Sequence, residues 1–330
     1  PLETCDSILD CLPPRDLLAL ALCSKTTRMN VTTYKERVFS IQHAYRKFFT
    51  IDEIAGFQKL QNSTALLVSG STALQFFNRD NYNGDLDSYC HFRLCKPVAE
   101  WLIGRGYLFE PIGKQTSEFD QTFSEISDDA DIQDYTFDTI AAVWNFIRGS
   151  SKIQLIGTRG SPLETIFSFH STCVMNIFTH RAAYCLFQKL TLEDKAAMLI
   201  DLQAPLNFHD MCPIRKYENR GFDIIHRPTF QQACDPSSSI SFLALRYIGD
   251  SHCCRIPFHD MDGDLSAVDT IESNSWDMAY TRKFNTIDFC SLNVPGAVVD
   301  YVVGPHNIAL ARAQIRAINT VLQGGILQYM

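Results

Sequence analysis

The 330-residue chain is 46% hydrophobic, enough for one large domain or two ordinary ones with a sizeable core. Its 29 Lys and Arg against 37 Asp and Glu give a net charge of −8, which argues against a nucleic-acid partner while leaving room for a local basic groove. No segment has the roughly 18 to 20 uninterrupted apolar residues of a membrane helix, and no basic region leads into an apolar run at the N-terminus, so a soluble, intracellular protein, cytoplasmic or nuclear, is expected.

The twelve cysteines lack the paired spacing of a zinc module and are too sparse for a disulfide scaffold; they read as reduced, mostly buried thiols. The chain starts at Pro1 rather than Met, which leaves upstream residues open. Residues 1–58 read as a small helical head. Pro13 and Pro14 suit a helix start, and Leu17, Leu18, Leu20 and Leu22 follow too densely for a solvated surface. A second amphipathic helix is expected from Tyr34 to Phe49, with Val38, Ile41, Tyr45 and Phe48 at helical spacing.

Leu12-Pro13, then Asp16-Leu17-Leu18-Ala19-Leu20, then Cys23-Ser24-Lys25-Thr26-Thr27-Arg28 resembles an F-box, with its Leu-Pro start, apolar helix and polar second helix. That resemblance implies docking of a Skp-type adaptor of a ubiquitin ligase through residues 12–28. The alternative is an ordinary helical hairpin capping the core.

From residue 64 the pattern becomes strand, tight turn, helix: Ala65-Leu66-Leu67-Val68, then Ser69-Gly70-Ser71, then Thr72 to Phe77. A turn-rich loop from Asn78 to Gly84 delivers the alternating segment Asp85 to Cys90. A helix follows over Lys96 to Gly104. Residues 114–138 are polar and acidic and read as a surface insertion; a strand over Lys152–Ile156 and another over Phe169–Phe178 complete the core. Residues 180–203 look helical, 207–235 loop-rich, and a last helix is expected over Ile308–Leu322. The domain reading is therefore head 1–58, α/β core 59–205 and a mixed C-terminal extension 206–330.

Carboxylates one residue apart on a strand project to the same face, so Asp85 and Asp87 can grip one divalent cation together. Gly70-Ser71 at a helix start offers backbone amides, a hydroxyl and the helix dipole to a phosphate. Arg79 and the Lys216-Tyr217 pair are further candidates for a nucleotide's phosphates or base, against the bland readings of a solvated arginine and an exposed turn.

At these residues the chain resembles the nucleotidyltransferase, or polymerase-beta-like, superfamily: Val68-Ser69-Gly70-Ser71 followed by Asp85-Leu86-Asp87, over residues 60–180. Within it, the chain looks closest to fungal proteins with an F-box-like head. The resemblance implies an α/β (α+β) fold, a mixed sheet flanked by helices, that binds a nucleoside triphosphate with Mg²⁺ or Mn²⁺ and transfers a nucleoside monophosphate to a hydroxyl acceptor. It also implies three carboxylates. The third position aligns with Phe169-His170-Ser171-Thr172, where His170 or Thr172 replaces an acid. Without it, binding survives better than transfer, unless His170 acts as a general base, an acid from 118–138 swings in, or the true partner strand lies elsewhere. The rival reading is a catalytically degenerate nucleotide-binding or F-box adaptor protein.

The remaining chemistry-bearing motifs read blandly. His252-Cys253-Cys254 with His259 and Asp260 fits a buried strand better than zinc, and Asp260 to Asp264 a turn better than a calcium loop.

Overall fold

A computed structural model describes residues 2–126, 139–200, 208–258, 269–281, 285–294 and 297–313. The chain opens with α1 (Leu2–Asp10), α2 (Pro14–Cys23) and α3 (Lys25–Val38). Pro14 occupies the first turn of α2, where a missing N–H costs no helical bond. Ser24 caps α3 reciprocally: its hydroxyl accepts from the Thr27 amide at 3.1 Å, and Thr27 Oγ1 accepts from the Ser24 amide at 3.0 Å. The three helices bury Leu9, Leu17, Val31 and Tyr34 in a small core of their own. Tyr34 donates to Asp10 Oδ1 at 2.5 Å, and Arg37 pairs with Asp6.

The single helix expected from Tyr34 to Phe49 is two. After α3 ends, Ser40 accepts from the His43 amide at 3.1 Å and starts α4 (Ile41–Tyr45). Next, α5 (Ile51–Thr64) begins at a Thr50–Glu53 capping box.

The core starts with β1 (Leu67–Ser69), which runs straight into α6 (Gly70–Asn78), and β2 (Leu86–His91) returns antiparallel with Ser69 opposite Asp87. Then come α7 (Cys95–Gly104), β3 (Leu108–Glu110), α8 (Phe119–Glu125), the hairpin β4 (Ile140–Arg148) and β5 (Ser151–Thr158), α9 (Pro162–Phe167), β6 (Asn176–Phe178) and β7 (Ala182–Cys185). The C-terminal half adds β8 (Ala196–Met198), α10 (Phe208–Glu218), β9 (Asp223–Ile225), α11 (Phe230–Cys234), β10 (Arg246–Tyr247), β11 (Cys254–Pro257), β12 (Ser275–Tyr280), β13 (Asn285–Asp288), β14 (Cys290–Leu292) and β15 (Tyr301–Val303).

Eight strands form one mixed sheet in the order β11-β7-β6-β1-β2-β5-β4-β3, so the fold is the mixed α/β architecture expected, with a helical N-terminal region. Its neighbouring strands are antiparallel except β2 and β5, which run parallel with Asp87 beside Gln154. One apolar layer joins the sheet to α4, α5 and α7 through Tyr45, Phe57, Leu102 and Trp144. The other packs α9 and the C-terminal strands through Phe167, Tyr184 and Trp276.

Four local expectations change. Residues 180–203 hold β7 and β8, separated by a turn of π-helix at Lys189–Glu193. The strand expected over 169–178 shrinks to β6, preceded by a 3₁₀ turn at Thr172–Val174. The 114–138 stretch is partly core: in α8, Phe119 is buried and Phe123 stacks on Phe92 at 4.9 Å, while 127–138 lie outside the described residues. The loop-rich 207–235 contains α10, β9 and α11. The last helix is seen over 308–313, and 314–330 lie outside the described residues.

Candidate functional site

The β1–α6 turn fixes the cleft. Gly70 has φ +72°, the left-handed region that glycine enters without strain, and a Cβ there would run into the Asp87 carboxylate. Glycine is thus required twice at this position, by the turn and by the acid lying over it. A Cβ on Gly84 would sit 2.5 Å from Ser71 Oγ, so the loop that delivers the acids presses against the buried Ser71. Thr72 Oγ1 donates to the Asp85 carbonyl at 2.7 Å and Lys47 Nζ to the Gly84 carbonyl at 2.7 Å.

Alternation places Asp85, the residue just before β2, on the same face as Asp87 and Tyr89. The surroundings of Asp87 raise its carboxyl to about 7, chiefly through burial and then through repulsion from Asp85, with Lys216 and Lys152 pulling the other way. Lys152 Nζ lies 3.6 Å from Asp85 Oδ2. Because β5 runs parallel to β2 in register, Lys152 and Gln154 share the face of the two acids. Gln154 donates its amide to Asn145 Oδ1 at 3.2 Å across the hairpin.

The strand beside the acid pair is therefore β5, and the residue next to Asp87 is Gln154. His170, expected from the sequence to lie on the strand beside the acids, is not on it. His170 sits in a bend outside the sheet, its ring 5.6 Å from that of Tyr217. Burial, reinforced by Lys216, lowers its pKa to about 4, so it is neutral at physiological pH. Among the described residues its buried Nδ1 has no hydrogen-bond partner.

The C-terminal turn of α10 supplies the cationic wall. Lys216 interacts electrostatically with both acids; burial and the neighbouring Arg220 lower its pKa. Tyr217 is buried rather than in an exposed turn, and the Arg220 guanidinium lies 3.7 Å from the centre of the Tyr82 ring and 5.1 Å from that of Tyr217. The structure thus brings Gly70, Ser71, His170, Lys216 and Tyr217 into the neighbourhood of Asp85 and Asp87. Lys152, Gln154 and Tyr89 join them without having been singled out from the sequence, and Arg220 joins from the same stretch as Lys216 and Tyr217.

Arg79 is not part of it. As the left-handed C-cap of α6 (φ +60°), it turns toward the head, donating to the Leu9 carbonyl at 2.8 Å, to Tyr34 Oη at 3.0 Å and to the Leu12 carbonyl. These contacts consume the guanidinium as a link between head and core. Among the described residues no third His, Cys, Asp or Glu joins the acid pair. Cys254 lies in β11 opposite Cys185, while His259 and Asp260 to Asp264 lie outside the described residues.

Residues 1–37, the span of α1, α2 and nearly all of α3, match the F-box domain. No curated protein and no solved structure matches the chain. No described helix is long and apolar enough to cross a membrane.

Proposed function

We propose that the chain is a recognition subunit of a ubiquitin-ligase assembly, its head docking a Skp-type adaptor inside the cell and its α/β core presenting a ligand cleft. The F-box match over residues 1–37 carries this reading. Beside the buried Leu17, α2 leaves Leu18 56% and Leu22 75% exposed, one turn apart on the same side, and Met29 of α3 is 67% exposed. A three-helix unit with its own core and so much apolar surface left in water is suited to burying that surface against a partner. The full chain is expected to co-elute with a purified Skp-type adaptor, and a Leu18→Asp/Leu22→Asp variant to bind at least ~100-fold more weakly, since it forces two charges into an apolar contact. A folded wild-type chain that shows no complex at micromolar concentrations would sink the reading.

The cleft supports a second role, the binding of a nucleoside triphosphate. Gly70, Ser71 and Lys216 would meet its phosphates, Tyr217 its base, and Asp85 and Asp87 are the residues that would hold Mg²⁺ or Mn²⁺. The donor set fits a metal poorly. Lys152 already neutralises Asp85, Gln154 adds no charge, and Asp87 holds its proton to about pH 7. We therefore favour nucleotide recognition over transfer. Calorimetric titration with each nucleoside triphosphate, with and without Mg²⁺ or Mn²⁺, should show binding without pyrophosphate release, weakened in Lys216→Ala. Unchanged affinity in a folded Lys216→Ala protein would refute the site's role, and pyrophosphate release by the wild type would restore transfer.

A further inference from the structure

Between head and core lies a cavity of about 400 Å³, distinct from the acid cleft and walled by α3, α4 and α6. We infer that it binds a small polyanion, a molecule bearing two or more phosphate or carboxylate groups, and that such a ligand bridges head and core. The volume falls within the range of roughly 300 to 1,000 Å³ typical of small-molecule sites, and junctions between domains are a preferred place for them.

The charges on the wall point to an anion. Arg46 and Lys47, at the end of α4, and Arg79 from α6 bring three permanent cations to the cavity. Arg79 donates from its two terminal nitrogens to two carbonyls and a hydroxyl, its buried Nε has no partner among the described residues, and its positive charge has no counter-ion in direct contact. Lys47 donates one N–H to the Gly84 carbonyl and keeps two. The exposed Arg46 guanidinium has no hydrogen-bond or ion-pair partner among the described residues. The two acids on the wall, Asp10 and Asp80, accept from Tyr34 Oη at 2.5 Å and from Tyr82 Oη at 2.6 Å and keep their charge, so three cations against two acids leave the wall with one net positive charge.

His43, half-buried beside these cations, adds a neutral donor and acceptor. Burial and then Arg46 lower its pKa, with Asp10 opposing them. Its imidazole makes no hydrogen bond among the described residues, although its backbone caps onto Ser40. Phe76, Ala44 and Val38 give the floor an apolar body. A cavity with cationic donors left over on Arg46 and Lys47, around an apolar floor, suits a compact anion better than a metal or a cationic group.

The site is independent of both the adaptor reading and the acid cleft, and the test keeps them apart. Inorganic pyrophosphate and citrate are titrated calorimetrically into the full chain at pH 7 in buffer stripped of divalent metal beforehand on a chelating resin, which removes metal-dependent binding without adding a competing polycarboxylate. At least one should bind with 1:1 stoichiometry, and Arg46→Ala should weaken that binding tenfold or more, because a charge-assisted donor is lost from a solvent-facing position that the fold does not use. Lys216→Ala, which alters only the acid cleft, should leave it unchanged. No binding of either probe, or binding that falls in Lys216→Ala and not in Arg46→Ala, would overturn the inference.

Discussion

Asp87→Asn is expected to stabilise the protein above pH 7 and to leave it with a stability that rises with pH between about 4 and 6.5. The reason is that Asp87 and His170 titrate in opposite senses in the same cleft. Asp87 has its pKa raised from 3.8 to about 7, so between those values the folded state binds the extra proton and stability falls as pH rises. His170 has its pKa lowered from 6.5 to about 4, so in that window the unfolded state binds the extra proton and stability rises with pH. Each slope is at most about 1.4 kcal/mol per pH unit, and in the wild type the two largely cancel. Removing the acid exposes the histidine's slope. His170→Gln should do the converse and give a stability that falls from about pH 4 to 7. Thermal melts of the three proteins across pH 4 to 8 check both signs; parallel profiles would show that the groups do not sit in the electrostatic setting described.

Asp250→Ala is expected to cost about 3–5 kcal/mol, the range for removing one partner of a buried ion pair. Arg246 is fully buried and donates to Asp250 Oδ2 at 2.6 Å, to the Ser239 carbonyl at 2.6 Å and to the Leu186 carbonyl at 2.6 Å. Its guanidinium packs between Phe187 and Trp276, with ring centroids at 5.0 and 4.7 Å. Asp250 also accepts the amides of His252 and Tyr247 at 2.9 and 3.2 Å. This cluster ties β10 and β12 to the chain leaving β7, so an unpaired cation there should loosen the C-terminal strands first. Asp250→Asn, which keeps the acceptor oxygen, should cost less. Urea midpoints of the two variants decide it; a loss below about 1 kcal/mol for alanine would contradict the buried-pair account.

Some of this was legible in the sequence because local chemistry demanded particular residues. Gly70 stands where a strand turns into a helix with positive φ, and Asp85-Leu86-Asp87 alternates as a strand edge must, so turn, helix and acid-bearing strand could be placed before the fold was known. What escaped depends on contacts remote in sequence. Ala182 to Met198 is rich in Ala and Leu and so reads as helix, yet β7 and β8 are buried throughout, and burial without alternation overrides propensity. Ser40 was passed over as a helix breaker although its hydroxyl caps α4. Residues 207–235 read as loop-rich, yet they hold α10, with Pro213 inside it, the helix that carries Lys216 and Tyr217 to the acids. Gln154 could be recognised as the neighbour of Asp87 only once the parallel pairing of β2 with β5 was known. Nothing local marks Arg79 as the link to Leu9 and Leu12, whose carbonyls lie 70 and 67 residues away.

The adaptor reading is tested most directly by amide hydrogen exchange on the full chain, alone and saturated with a purified Skp-type adaptor. It predicts added protection in α2 and the start of α3, around Leu18, Leu22 and Met29, with exchange in the eight-stranded sheet unchanged. Protection confined to the core, or none anywhere at saturating adaptor, would contradict it.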